Sequence, residues 1–170
     1  MDMDFHARFK AQARRYRYVV YNHPVRPALL HKQVTHIHAP LDVASMILAA
    51  SKFEGTHNFE SFRAAACQSN QPVRTVSHCR LIQHGCYLVL DIQADGFLHH
   101  MVRNIMGCLL EVGQGMYSID HIDTIFAAED RSAAGVTAPP DGLYFIHADY
   151  PEQFQLPTAP LGPHWLNMPE

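Results

Sequence analysis

Residues 96–115, GFLHHMVRNIMGCLLEVGQG, predict one helix that starts after Gly96 and stops near Gly113. At 100° per residue its apolar side chains form one broad arc: Leu98, Met101, Val102, Ile105, Met106, Leu109 and Val112. An arc this wide has to be covered by other elements. The remaining arc consists of His100, Asn104, Gly107 and Glu111, with Arg103 at its boundary. Because glycine costs about 1 kcal/mol relative to alanine in a helix, Gly107 predicts a close approach by another part of the molecule.

Alternating side chains predict strands on both sides of this helix. Residues 14–22, RRYRYVVYN, place Tyr16 on one face with Tyr18 and Val20, and Arg15 on the other face with Arg17, Val19 and Tyr21. Residues 75–83 and 86–94 predict a β-hairpin around His84-Gly85, and residues 142–150 predict a further strand.

Two more helices are predicted from apolar spacing and capping residues. One covers residues 41–55, with Asp42 as N-cap, Gly55 past its end, and an inward face of Val43, Met46, Ile47 and Ala50. The other runs from a Ser118 cap to about Ala128, with Ile119, Ile122 and Phe126 facing inward. Strands mixed with helices and joined by a hairpin predict an α+β fold, an antiparallel β-sheet backed by helices.

The length and composition predict one domain over residues 1–170, in which residues 151–170 form a Pro-rich tail. The four cysteines show no CxxC spacing, and no secretory leader or bilayer-length apolar run is present. We therefore expect a reduced, soluble, cytoplasmic protein without a membrane partner.

The net charge of −3 conceals a strong asymmetry along the chain. Residues 5–103 hold 12 Lys and Arg against five acids, whereas residues 104–170 hold nine acids against Arg131 alone. Since phosphate contacts are local, a basic surface within the first part predicts a polyanionic partner even for an acidic chain.

Thirteen histidines invite a metal interpretation, which the spacing does not support. The pairs His36/His38 and His99/His100 lack the i, i+4 spacing of a helical zinc site, and neither HExxH nor a cysteine cluster occurs. No phosphate-binding glycine loop is present, and nothing marks a cysteine as an activated nucleophile. We expect no metal and no cofactor.

The RRYRY segment is typical of a surface that binds single-stranded nucleic acid. Arginines on one face of a strand can meet phosphates, while rings on the other face can stack on a base. The same pattern also fits an ordinary sheet with tyrosines in its core, so composition alone leaves both interpretations open.

Five segments in one order, FHARF, RRYRY, NFESFR, FLHHMVRNIMG and GLYF, resemble the C-terminal half of the TruA family of tRNA pseudouridine synthases. The resemblance extends from about Asp4 to Pro163. It implies the pseudouridine synthase fold and a homodimeric, cofactor-independent enzyme that isomerises uridine to pseudouridine in the anticodon stem-loop of tRNA.

The resemblance also implies roles for individual residues. Tyr16 matches the tyrosine that stacks on a flipped-out uracil, Arg103 the basic residue that pairs with the catalytic carboxylate, and Leu143 an apolar pocket wall. The candidates for RNA contact are Tyr16, Arg14, Arg15, Arg63 and Arg74.

The nucleophile of this family is an aspartate in a GRTDxGVHA-like motif upstream of the FHARF segment. That motif does not occur in the 170 residues, since neither Asp2 nor Asp4 has the required neighbours. We therefore expect the RNA-binding and active-site-completing half of a synthase, inactive by itself. The alternative is a non-catalytic RNA-binding or dimerisation module that keeps the fold.

Overall fold

The computed structural model describes residues 5–157 and 162–166, which form strands and helices. In chain order they are β1 (Ala13–Asn22), β2 (Thr35–Ile37), α1 (Val43–Ser51), β3 (Gly55–Asn58), β4 (Val73–His84), β5 (Tyr87–Ala94), α2 (Met101–Gly113), α3 (His121–Ala128) and β6 (Leu143–Asp149). Short 3₁₀ helices cover Glu60–Phe62, Arg131–Ala134 and Glu152–Phe154.

Strand β1 pairs with three other strands of one six-stranded sheet. It is antiparallel to β5 on one side, and β4 and then β3 continue the sheet beyond β5, both antiparallel. On its other side β6 pairs antiparallel with residues 13–18, and β2 pairs parallel with residues 20–22. The predicted antiparallel sheet is confirmed, apart from the short parallel pairing of β1 with β2. Strands β2 and β3 were not predicted, because three or four residues are too few to show alternation.

The predicted hairpin between β4 and β5 is present, but its turn lies one residue later than predicted. His84 pairs with Tyr87, so the two-residue turn is Gly85-Cys86. Gly85 has φ +58°, a left-handed conformation that glycine adopts readily, and this favours it as the first central residue of the turn.

Helix α2 begins at Met101, so the predicted start directly after Gly96 is wrong, whereas the predicted end at Gly113 is confirmed. His100 has φ +62°, which interrupts any helix arriving from residues 97–99. Those residues form a turn instead, closed by the Met101 N–H donating to the Leu98 carbonyl at 3.0 Å.

The predicted N-cap of α1 is confirmed, because the Asp42 carboxylate accepts from the Ser45 N–H at 3.1 Å. Its predicted inward face is only partly right. Met46 and Ala50 are buried, but Ile47 is 45% exposed. The helix packs against both α2 and β4, and Ala49 is its third buried residue.

Helix α3 starts at His121, and Ser118 does not cap it with its side chain. Ser118 contributes only its carbonyl, which accepts from the His121 N–H at 3.1 Å and closes a preceding turn. Ile122 is buried as predicted, and Ile119 and Phe126 pack against the core at partial burial.

All three helices contribute side chains to a core on one face of the sheet, where Tyr18, Leu90 and Ile92 are buried. A smaller cluster on the other face includes Val19 and Leu166. The predicted division of β1 into a tyrosine face and an arginine face is therefore confirmed.

Within residues 5–157 and 162–166, no helix has the length and apolarity needed to cross a bilayer. Asp2, Asp4 and residues 158–161 and 167–170 of the Pro-rich tail lie outside the described residues. The assignment of residues 1–170 to a single domain stays a prediction.

Candidate active site

Tyr16, Arg103 and Leu143 line one cavity of about 280 Å³ on the helix face of the sheet. Tyr16 comes from β1, Arg103 from the first turn of α2, and Leu143 from the start of β6. Leu143 pairs with Tyr18, two residues after Tyr16 on the same face of β1. The antiparallel pairing thus brings together residues that are far apart in the chain.

Aromatic rings build one side of this site. The Tyr16 ring stands edge-on to Phe97 at 5.2 Å between centroids and to Phe145 at 5.4 Å. Burial raises the pKa of the Tyr16 hydroxyl and outweighs the opposing charge of Arg14, so the phenol is neutral at physiological pH. Flat rings beside the apolar Leu143 suit a planar, uncharged ligand such as a nucleobase.

Phe97 and Phe145 were not predicted as site residues from the sequence. Phe145 follows Leu143 by two residues in a predicted strand, so alternation was an available signal that both face the same side. Phe97 had no such signal, because its position depends on the turn that His100 forces before α2.

Arg103 is half-buried and anchored at one end of its guanidinium. Its Nε–H donates to the Ala138 carbonyl at 2.8 Å, and the Ala138 N–H donates back to the Arg103 carbonyl at 3.1 Å. Within the described part of the chain, the two Nη groups have no acceptor. They remain available for a carboxylate or phosphate, which a guanidinium binds through two parallel hydrogen bonds.

The structure places Arg15 away from Tyr16, on the opposite face of the sheet. Its Nε donates to Asp91 Oδ1 at 2.6 Å and its Nη2 to Asp91 Oδ2 at 2.9 Å, while Arg17 Nε donates to Oδ2 at 2.8 Å. Burial raises the pKa of the Asp91 carboxyl, but the hydrogen bonds and charges of the two arginines outweigh it and lower that pKa. No local sequence pattern indicates Asp91 as this partner, because it lies 76 positions from Arg15 in the chain.

The other predicted RNA-contacting arginines lie on the helix-face side of the site and hold nearby backbone. Arg14 donates to the carbonyls of Asp95 at 2.9 Å and Arg8 at 2.6 Å. Arg63 and Arg74 both bind Ser69, through its carbonyl at 3.1 Å and its hydroxyl at 2.8 Å.

A second cavity of about 350 Å³ adjoins the first. Arg8, Cys67 and Ser69 are among its lining residues, and it shares Phe97 and His99 with the Tyr16 cavity. Two of the cationic side chains, Arg63 and Arg74, are therefore held by the loop next to the site.

Another cavity, of about 440 Å³, lies along β6 and residues 150–157. It contains none of the predicted site residues, and its His147 and Asp149 are paired with each other at 3.0 Å. We place the candidate site in the cavity of about 280 Å³, because Tyr16, Arg103 and Leu143 converge there.

The described residues contain no group of three or more His, Cys, Asp or Glu side chains that could hold a metal ion. The His99 and His100 rings lie 3.9 Å apart at the edge of the site. Burial, together with the charges of His99, Arg103 and Arg131, lowers the pKa of His100, which is therefore neutral at pH 7.

A family model described as tRNA pseudouridine synthase matches residues 49–151, which is more than half of the chain. The chain therefore belongs to the tRNA pseudouridine synthase family. It is similar to tRNA pseudouridine synthase A of Acinetobacter baumannii, with 84% identity over the whole chain and 64% of that relative. The corresponding protein of Acinetobacter baylyi is 78% identical over the whole chain and 63% of its own length.

A more distant relative is tRNA pseudouridine synthase A of Pseudomonas aeruginosa, 52% identical over 98% of the chain and 59% of that protein. The chain thus spans less than two thirds of the length of these relatives.

Proposed function

We propose that this chain is the RNA-binding and active-site-completing part of a tRNA pseudouridine synthase, an isomerase that converts uridine to pseudouridine in the anticodon stem-loop of tRNA. The observation that supports the proposal is the convergence of Tyr16, Arg103 and Leu143 around one cavity of about 280 Å³, in a chain of this family. Such a volume suits a single flipped-out base better than a large cofactor.

The reaction breaks the bond between C1′ and N1 of uridine, turns the uracil, and forms a bond between C1′ and C5. The C5 proton leaves and N1 gains a proton, so no oxidant or cofactor is consumed. In our proposal Tyr16 stacks on the uracil, and Leu143 closes the other side of the base.

Arg103 holds the nucleophilic carboxylate in its ionised form. A guanidinium that binds a carboxylate bidentately lowers the pKa of that carboxyl. None of the described aspartates lines the cavity, and the GRTD-like motif is absent from the sequence. We therefore propose that the aspartate comes from another segment, and that these 170 residues alone do not catalyse the isomerisation.

The proposed RNA surface uses Arg14, Arg63 and Arg74 for phosphates around the site, with Arg15 as a further contact. Each arginine that neutralises a phosphate adds to the salt dependence of binding. We also propose that the substrate is tRNA, that the enzyme is a homodimer, and that it acts in the cytoplasm. The free thiols of Cys67, Cys79, Cys86 and Cys108 fit a reducing compartment.

Tritium release tests this proposal. Unmodified tRNA labelled with tritium at C5 of uridine loses the label to water when C5 forms its bond to C1′. In our proposal the complete protein carries an upstream aspartate segment, so we expect release by the complete protein and background release by the 170 residues alone. Turnover by the 170 residues would overturn the proposed division, and no release by the complete protein would overturn the assigned reaction.

The second candidate is a non-catalytic RNA-binding or dimerisation module that keeps the fold. The gene upstream of Asp4 distinguishes the two. If that region encodes no GRTD-like motif, and the complete protein binds tRNA without releasing tritium, the module is the correct function.

A further inference from the structure

The side of α2 that carries Asn104, Gly107 and Glu111 faces protein rather than solvent. Asn104 is fully buried and Glu111 is 8% exposed, because residues 131–138 pass over this side of the helix. We call residues 131–138 the strap. The strap begins with the 3₁₀ helix Arg131–Ala134 and ends at Ala138, the acceptor for Arg103.

Two hydrogen bonds that Asn104 accepts hold the strap in place. Its Oδ1 accepts from Thr137 Oγ1 at 2.7 Å and from Arg131 Nη2 at 3.1 Å, and its Nδ2 donates to the Phe62 carbonyl at 2.7 Å. Arg131 also donates to Thr137 Oγ1 at 2.7 Å and to the Gly135 carbonyl at 2.9 Å. These bonds link α2, the strap and the 3₁₀ helix Glu60–Phe62 in one buried network.

Contacts of the strap backbone with Gly107 and Glu111 fix the strap further along α2, one and two turns beyond Asn104. A side chain at Gly107 would clash with the Val136 carbonyl, so only glycine lets the strap lie this close. Gly135 has φ +65° and leaves room for the Glu111 carboxylate, whose Oε1 accepts from the Val136 N–H at 3.4 Å.

We infer that Asn104 and Thr137 are positioning residues for Arg103. Thr137 precedes Ala138, so fixing its hydroxyl on Asn104 fixes the carbonyl that accepts from Arg103 Nε. With Nε held, the rotation of the guanidinium is restricted, and its two Nη groups keep one orientation. The catalytic consequence rests on the proposed function, whereas the positioning itself does not.

Thr137 offers the sharper test, because substituting the fully buried Asn104 removes three bonds at once. Thr137→Val keeps the shape of the side chain and loses the hydroxyl, and Thr137→Ser keeps the hydroxyl. The first measurement is hydrogen exchange of the Arg103 Nε–H by NMR in the 170-residue chain, with the signal assigned from its absence in Arg103→Ala.

We expect Thr137→Val to accelerate exchange of the Arg103 Nε–H by roughly tenfold or more, and Thr137→Ser to stay near the wild type. Backbone spectra of both variants report whether the fold is intact. Unchanged Nε–H exchange in a folded Thr137→Val variant would overturn the inference, as would equal acceleration in both variants.

The second measurement uses the complete enzyme. A displaced Arg103 lowers kcat with little change in KM, and moves the acidic limb of the kcat profile to higher pH, because the carboxylate loses part of its cationic partner. Thr137→Ser restores both. Equal losses in the two variants, or an unmoved pH profile, would contradict positioning. A wild-type enzyme without activity would instead contradict the proposed function, and the NMR result would still decide the positioning.

Discussion

The carbonyl of Val136 lies where the side chain of residue 107 would begin, so Gly107 in α2 is the point at which the strap rests on the helix. The prediction from sequence that something approaches closely at Gly107 is confirmed. The neighbour is backbone, which cannot move aside as the end of a flexible side chain can. The strap also ends at Ala138, so this contact lies close to the residue that holds Arg103.

Gly107→Ala should therefore destabilise the chain, although alanine favours a helix by about 1 kcal/mol. We expect a net loss of about 1–3 kcal/mol, since the added methyl group has to displace the strap. Gly113→Ala in the same helix is the matched control, because there the nearest atoms belong to the flexible side chain of Met46. Urea unfolding measures both, and equal effects would contradict the account of the strap.

Local patterns predicted much of the fold, because alternation and helical spacing report directly on which side chains are buried. The two faces of β1 and the end of α2 at Gly113 followed from them. The start of α2 did not, because it depends on the left-handed conformation of His100. Nor did the partner of Arg15, since an ion pair with Asp91 across the sheet leaves no local trace in the sequence.

The site was accessible from sequence only through the resemblance. Tyr16, Arg103 and Leu143 lie on three separate elements, and their proximity comes from strand pairing and from the strap. Neither the backbone carbonyl of Ala138 nor the ring of Phe97 belongs to a pattern that residue types alone reveal.

Asp91→Asn should cost about 3–5 kcal/mol, because it leaves Arg17, only 2% exposed, without its counter-ion. The pKa of Asp91 is lower in the folded chain than its ordinary value, so the unfolded chain binds more protons as the pH falls. The contribution of Asp91 is present above the unfolded pKa, near 3.8, and is lost as the pH falls through the folded value.

Urea unfolding between pH 3 and pH 7 measures this contribution, and Asp95→Asn is the control on the exposed end of the same hairpin. We expect the free energy of unfolding to depend less on acid pH in Asp91→Asn than in the wild type, and to keep its full dependence in Asp95→Asn. If both variants kept the stability and acid response of the wild type, the buried ion pair would not stabilise the fold.

Glu111 has the opposite pH dependence. Burial raises its pKa, and the Val136 N–H and the charges of His121 and Arg131 offset this only in part. The folded chain then binds the proton more tightly than the unfolded chain, so stability falls as the pH rises above about 4.5. Glu111→Gln should reduce this fall, as measured by urea unfolding at pH 5 and pH 8. The exposed Glu129→Gln serves as control, and identical pH responses would contradict the prediction.

The salt dependence of tRNA binding tests the proposed RNA surface. Arg74→Gln should reduce the slope of log affinity against log salt by about 0.7 to 0.9 if one phosphate contact is lost. Arg15→Gln should reduce it less, because Asp91 already engages the Arg15 guanidinium. A larger reduction for Arg15 than for Arg74 would place the RNA on the opposite face of the sheet.

The most direct test of the central claim is the rate of tritium release from C5-labelled tRNA by the complete protein carrying Arg103→Ala. The same substitution should lower the free energy of unfolding of the 170-residue chain by only about 1 kcal/mol, the value of one hydrogen bond. A loss of activity would therefore not reflect unfolding. If Arg103 holds the nucleophilic carboxylate, we predict a fall in kcat of roughly 10²-fold or more with tRNA binding retained. Release at the wild-type rate by a folded Arg103→Ala enzyme would contradict the account.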